Sequence, residues 1–89
     1  MLIMITYDLN KPGQEYANLF AAIQQCGESN HCLKSVWLLQ TRMSVGQVQQ
    51  ILRRHMDSND FLLVVDITGQ SRDGWMSRSV WDWAREHDY

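Results

Sequence analysis

The first apolar positions of the chain, Leu2 to Tyr7, form a continuous run rather than an alternating one. Such a run fits a strand with neighbours on both sides and little exposure on either face, and therefore a place in the middle of a sheet. Pro12-Gly13 interrupts the pattern, after which Tyr16, Leu19, Phe20 and Ile23 fall at i, i+3, i+4 and i+7. That spacing predicts a helix with one apolar face from about Gln14 to Cys26. Gly27 is its expected stop, because glycine takes the left-handed conformation at little cost.

Past the polar residues Glu28-Ser29-Asn30, read as a turn, His31 to Lys34 and Ser35 to Gln40 predict a short and a longer strand in a hairpin. Ser44 followed by Gln47 has the form of a capping box, and Val45, Val48, Ile51 and Leu52 continue as a helical stripe through about His55. Asp57-Ser58-Asn59-Asp60 reads as a turn, and Phe61 to Ile67 as a last apolar strand broken only by Asp66. The order strand, helix, strand, strand, helix, strand predicts an α+β fold, a ferredoxin-like βαββαβ sandwich with both helices on one face. The first strand is then central and the last lies at an edge. FLLVVDI is too apolar for a bare edge, so the C-terminal segment or a second subunit is expected to cover it.

The segment Gly74 to Tyr89 carries Trp75, Trp81 and Trp83, which with Met76, Val80 and Ala84 give an irregular stripe. It predicts an added C-terminal helix from about Ser77 to Glu86 whose tryptophans pack on the sheet. Stacking of bases on exposed tryptophans is the alternative, opposed by the acidic Asp82 and Glu86 standing where a nucleic-acid surface would carry arginines.

At 89 residues with no repeat, linker or low-complexity segment, the chain (1–89) reads as a single domain with one small core. A substantial site then lies on one face or between copies, and a homodimer is expected. The net charge of −2 argues against binding a polyanion through the whole surface. No apolar run reaches membrane-spanning length, so no membrane partner is expected, and without a basic n-region and cleavage site the chain reads as cytoplasmic. Cys26 and Cys32, with His31 between them, are a poor zinc motif without a second pair at finger spacing. A buried Cys26 closing a helix and a Cys32 within a strand is the simpler reading.

The opening TYDLNKPGQEY, the segment HCLKSVWLL, the stretch HMDSNDFLLVV and the tryptophan-containing C-terminal helix resemble the Cas-two-like superfamily. That group comprises the small CRISPR-adaptation proteins, VapD and the SinR-like branch, and the SinR-like branch is the nearest in pattern. The resemblance covers nearly the whole chain. It implies a homodimer in which Asp8 of each subunit sits near the twofold axis and holds a divalent ion, Mg or Mn, with RNA or DNA as the partner and phosphodiester cleavage as the activity. Tyr7, Asn10 and Ser35 are the residues it places around Asp8. Where CRISPR-associated members carry a run of arginines and lysines, this sequence has only Lys11 before Pro12-Gly13-Gln14-Glu15.

The chemistry of Asp8 fits that implication, since a hard cation takes carboxylate oxygens and waters and polarises a phosphodiester. The competing reading is a turn residue whose carboxylate accepts backbone N–H bonds from Asn10 to Gly13. His31 and His55 are the other acid/base candidates by residue type, since imidazole is the side chain suited to proton transfer near neutral pH, and are read as a strand-edge and a helix C-terminal residue. Lys34, Arg42, Arg53 and Arg54, with Lys11, are the basic residues available for phosphate contacts, unless they form only a solvated face. The alternative function is a non-catalytic protein-interaction module, such as an antitoxin or immunity protein, binding a protein partner.

Overall fold

The computed structural model describes residues 1–10 and 16–89. Its elements are β1 (Leu2–Asp8), α1 (Ala17–Gln25), β2 (Glu28–Leu33), β3 (Val36–Gln40), α2 (Val45–Arg53), β4 (Phe61–Asp66) and α3 (Arg78–Glu86). The four strands form one antiparallel sheet in the order β2-β3-β1-β4. The fold is α+β, with the apolar first strand central and the last strand at an edge.

Two layers close on β1. Ile3, Ile5 and Tyr7 point to one face, where α1 contributes Leu19, Ala22, Ile23 and Cys26 and α2 contributes Val48 and Leu52. Leu2 and Met4 point to the other, where Leu2 and Leu38 meet Val80 and Ala84 of α3. This two-sided burial is why the strand is apolar without alternation. Burial of α1 and α2 against the sheet, rather than intrinsic propensity, stabilises helices of nine residues.

The termini follow from local chemistry. Ser44 and Gln47 form the capping box: Gln47 N donates to Ser44 Oγ at 3.1 Å and Ser44 N to Gln47 Oε1 at 2.9 Å. β4 ends at Asp66, whose carboxylate accepts from the Thr68 hydroxyl at 2.7 Å and the Thr68 amide at 3.0 Å. These bonds hold the Asp66 carboxyl below the usual carboxylate range. The following turn uses Gly69 at φ 69°, a left-handed position that suits glycine.

Three expectations are corrected. Glu28-Ser29-Asn30 is not a turn: these residues pair with Gln40, Leu39 and Leu38 as the start of β2, because β3 supplies partners for them. The hairpin turn falls at Lys34-Ser35, after an irregularity between His31 and Leu33. Gly27 is not a left-handed cap: its φ is 159°, and glycine is needed because a Cβ there would stand 2.1 Å from the Gln40 carbonyl oxygen. Trp75 does not pack: it is 100% exposed, whereas Trp81 and Trp83 are partly buried. The start of the first helix expected at Gln14 lies outside the described residues, and Tyr16 is its N-cap.

Helix α3 covers only part of its face. The cross-strand pairs Thr6↔Leu63 and Asp8↔Phe61 continue that face beyond the helix. There Phe61 is 70% and Leu63 56% exposed, while their neighbours Leu62 and Val64 pack into the helix-side core. The apolar edge strand is thus left open on one side. Among the described residues no helix is long and apolar enough to cross a membrane.

The Gly27 contact gives a direct check. Gly27→Ala forces a Cβ against the backbone of β3, a neighbour that cannot rotate away, and should destabilise the fold by about 1–3 kcal/mol. Urea unfolding followed by tryptophan fluorescence measures it.

Candidate functional site

The site is built at the end of the sheet where β1 runs out. Asp8 is the last residue of β1, paired with Phe61, and its alternation from Leu2 and Met4 places it on the α3 side of the sheet, beyond the reach of α3. It is exposed. Thr6, Tyr7, Asp8, Phe61, Leu62 and Leu63 line a shallow recess of about 250 Å³. Among the described residues the Asp8 carboxylate has no hydrogen-bond or ion-pair partner.

Of the turn amides weighed for Asp8 in its capping reading, Asn10 donates to Asp60 instead, and Lys11 to Gly13 lie outside the described residues. Asp60 Oδ1 accepts the Asn10 amide at 2.8 Å and the Tyr16 hydroxyl at 3.3 Å, and Oδ2 accepts the Asp57 amide at 2.9 Å. One carboxylate thereby ties the end of β1, the start of α1 and the α2–β4 turn together. In sequence Asp60 looks like one more polar turn residue. Its only distinguishing signal is its place directly before an apolar strand that pairs with β1.

Tyr7 does not join Asp8. Adjacent strand residues point to opposite faces, and its ring lies on the helix side, where its hydroxyl accepts from Trp37 Nε1 at 3.1 Å and donates to the Lys34 carbonyl at 3.3 Å. Burial pushes the phenol above its ordinary range, with the Trp37 bond opposing. His31 lies in the same cluster, stacked on Trp37 with centroids 4.2 Å apart, its Nε2 3.1 Å from the Lys34 carbonyl. That carbonyl oxygen only accepts, so the Nε2 contact is a hydrogen bond when the ring carries its hydrogen there. Tyr7 and His31 brace the β2–β3 hairpin against the core.

Ser35 stands in the hairpin turn at the Asp8 end, its carbonyl accepting the Tyr7 amide at 3.2 Å, and Lys34 is exposed beside it. Asn10 is exposed and held by its own amide on Asp60. Arg53 shares a groove of about 590 Å³ with Phe61, Leu62 and Ser58 at this end of the molecule, on the flank of the helix layer. Arg54 lines a recess of about 390 Å³ with Arg53, Gln49 and Gln50, and a second one with Met43 and Ile51. Arg42 lies in the β3–α2 connection, at the end of β3 that pairs with Leu2 rather than with Thr6. Lys11 lies outside the described residues. The structure therefore brings Asp8, Asn10, Lys34, Ser35 and Arg53 to one end and leaves Arg42 at the other.

The two thiols cannot share an ion. Cys26 is in the helix-side core and Cys32 packs on the α3 side, its Sγ 3.4 Å from the Val36 carbonyl. Burial raises both thiols above their ordinary range, which disfavours thiolate. Among the described residues no three His, Cys, Asp or Glu side chains converge on one point. Among the described residues Asp8 is the one carboxylate that lines the recess at the end of β1. The chain matches no protein-family model and no curated protein.

Asp8 and Asp60 are separable by stability. Asp8→Asn should leave the melting curve within about 0.5 kcal/mol of the native chain, as for an exposed side chain without partners. Asp60→Ala removes the acceptor for the Asn10 amide, the Tyr16 hydroxyl and the Asp57 amide among the described residues and should cost about 2–3 kcal/mol. Chemical denaturation of the two variants in parallel measures both.

Proposed function

We propose that the chain is a homodimeric, Cas-two-like protein with a ferredoxin-like fold, associated with RNA or DNA, in which two copies join their open sheet faces and bring their Asp8 carboxylates together. The observation that carries this reading is the position of Asp8: an exposed carboxylate without a partner among the described residues, at the margin of an exposed apolar face. A strand order of β2-β3-β1-β4 with every neighbour antiparallel supports the ferredoxin-like assignment.

Joining the faces removes Phe61 and Leu63 from water, which favours association by the hydrophobic effect. Two carboxylates with waters and a substrate phosphate suit Mg or Mn, whereas one carboxylate alone does not make a site. An ion held there supplies Lewis-acid polarisation of a phosphodiester and acidifies a bound water. The chain's own residues have simpler tasks. Asp60 fixes the end of β1 so that Asp8 is presented at a constant angle, and among the described residues Lys34 and Arg53 are cations at that end that suit contact with a phosphate backbone.

A second reading has its own support. Arg42 lies at the end of β3 away from Asp8, and Arg53 and Arg54 stand on the flank of the helix layer, so among the described residues the positive charge on the open face itself is thin. That favours a non-catalytic module whose open face takes a protein partner, in the manner of an antitoxin or immunity protein.

Light scattering at micromolar concentration should give a mass near twice the 10.4 kDa of the chain. Leu63→Arg, which places a charge in the centre of the open face, should give a folded monomer. A stable dimer of this kind buries about 1,200–2,000 Å² in total, and a strictly monomeric native chain overturns the shared Asp8 site.

Cleavage of labelled RNA and DNA with and without Mg or Mn tests the chemistry. Asp8→Asn should lower metal-dependent cleavage roughly a hundredfold or more, as loss of several kcal/mol of charge stabilisation requires. Cleavage unchanged in Asp8→Asn removes Asp8 from the mechanism. A dimer that cleaves neither polymer favours the interaction module.

A further inference from the structure

Helix α3 is fastened at its C-terminal end, and one fastening depends on a proton. His87 caps the helix with its backbone N–H on the Trp83 carbonyl. Its side chain then bridges two elements: Nδ1 lies 2.7 Å from the same Trp83 carbonyl oxygen, and Nε2 lies 2.5 Å from Glu28 Oε2 at the start of β2. The ring stacks on the Trp83 indole with centroids 4.0 Å apart and planes 13° from parallel.

A carbonyl oxygen and a carboxylate oxygen only accept, so each ring nitrogen needs its own hydrogen to bond, and a neutral imidazole carries one. We propose that His87 is a proton-operated latch between α3 and β2, closed in the imidazolium form and opened when the ring becomes neutral. Opening loosens the helix that covers Leu2 and Leu38, and so enlarges the apolar face already exposed at Phe61 and Leu63.

The charged group meeting His87 from the sheet is Glu28 of β2. On its own segment Glu86 and Asp88 flank it in sequence. Asp88 is engaged by the Gly69 amide at 2.8 Å and by Arg72 at 3.0 Å, and Arg85 pairs with Asp82. Gln40 Nε2 donates to the Tyr89 carbonyl at 3.3 Å. These ties are independent of the imidazole, so an open latch loosens the helix without releasing the tail.

The direction follows from the hydrogen count. The latch holds while the ring is charged and is lost as rising pH removes the second proton, when one nitrogen lone pair is left facing an oxygen. Hydrogen exchange of the Val80 to Ala84 amides in the full chain, corrected for intrinsic rates, reads it between about pH 5 and about pH 8. Protection should fall roughly threefold to tenfold across that range in the native chain and stay flat in His87→Gln. Glu28→Gln provides the second arm, because Glu28 is 70% exposed at its side chain and its replacement leaves the core intact. Protection independent of pH in the native chain, or the same pH dependence in either variant, overturns the latch.

Discussion

The burial of β1 on both faces is the constraint from which the rest of the architecture follows. A strand paired on both edges and covered on both sides over most of its length has little solvent-facing surface, so its position, direction and register are all set by the layers around it. Slipping it by one residue would move Ile3, Ile5 and Tyr7 from the α1/α2 side to the α3 side and reverse both cores at once. The strand therefore acts as the reference for everything attached to its end. Asp8 leaves the sheet at a fixed place because Ile3, Ile5 and Tyr7 cannot move, and Asp60 carries that order into the turns on either side.

The same constraint explains why the two faces differ. The α1/α2 face carries the larger core, and its aromatic groups engage one another: Trp37 donates to Tyr7 and stacks with His31. The opposite face is covered by one nine-residue helix anchored through its C-terminal end. On β1 the sequence responds, turning polar at Thr6 and Asp8 where the helix no longer reaches. On β4 it does not, and Phe61 and Leu63 stay apolar in the open. A strand that remains apolar where its neighbour becomes polar is the physical basis for expecting that something lies against it.

Much of the fold was legible in the pattern of residues. The unbroken run at Leu2 to Tyr7 indicated a central strand, Ser44 with Gln47 indicated a helix start that the structure reproduces bond for bond, and the stripe at Val48 and Leu52 indicated its buried face. The misreadings share a cause. Glu28-Ser29-Asn30 has turn composition yet pairs as strand, because backbone hydrogen bonding to β3 outweighs weak side-chain preference. Gly27 looked like a helix cap by type, but its requirement comes from Gln40, a residue distant in sequence. Trp75 counted as a packing residue by size alone, although packing requires a neighbour and none is near enough to shield it.

The candidate site divides along the same line. The sequence by itself determined that a carboxylate would end the first strand, because the apolar run stops at Tyr7-Asp8, and that the last strand would be apolar enough to want a cover. Only the tertiary structure decided which carboxylate ties segments together and which has no partner among the described residues, since Asp8 and Asp60 are alike in type and differ in what faces them. It also separated Tyr7 from Asp8, by the alternation of a strand whose register is set by both partners, and it joined His87 to Glu28, 59 residues apart in the chain. Residue identity and spacing fix what a segment can bury or bond locally. Which groups meet across the sheet depends on register and layer contacts, which arise only when all the segments pack together.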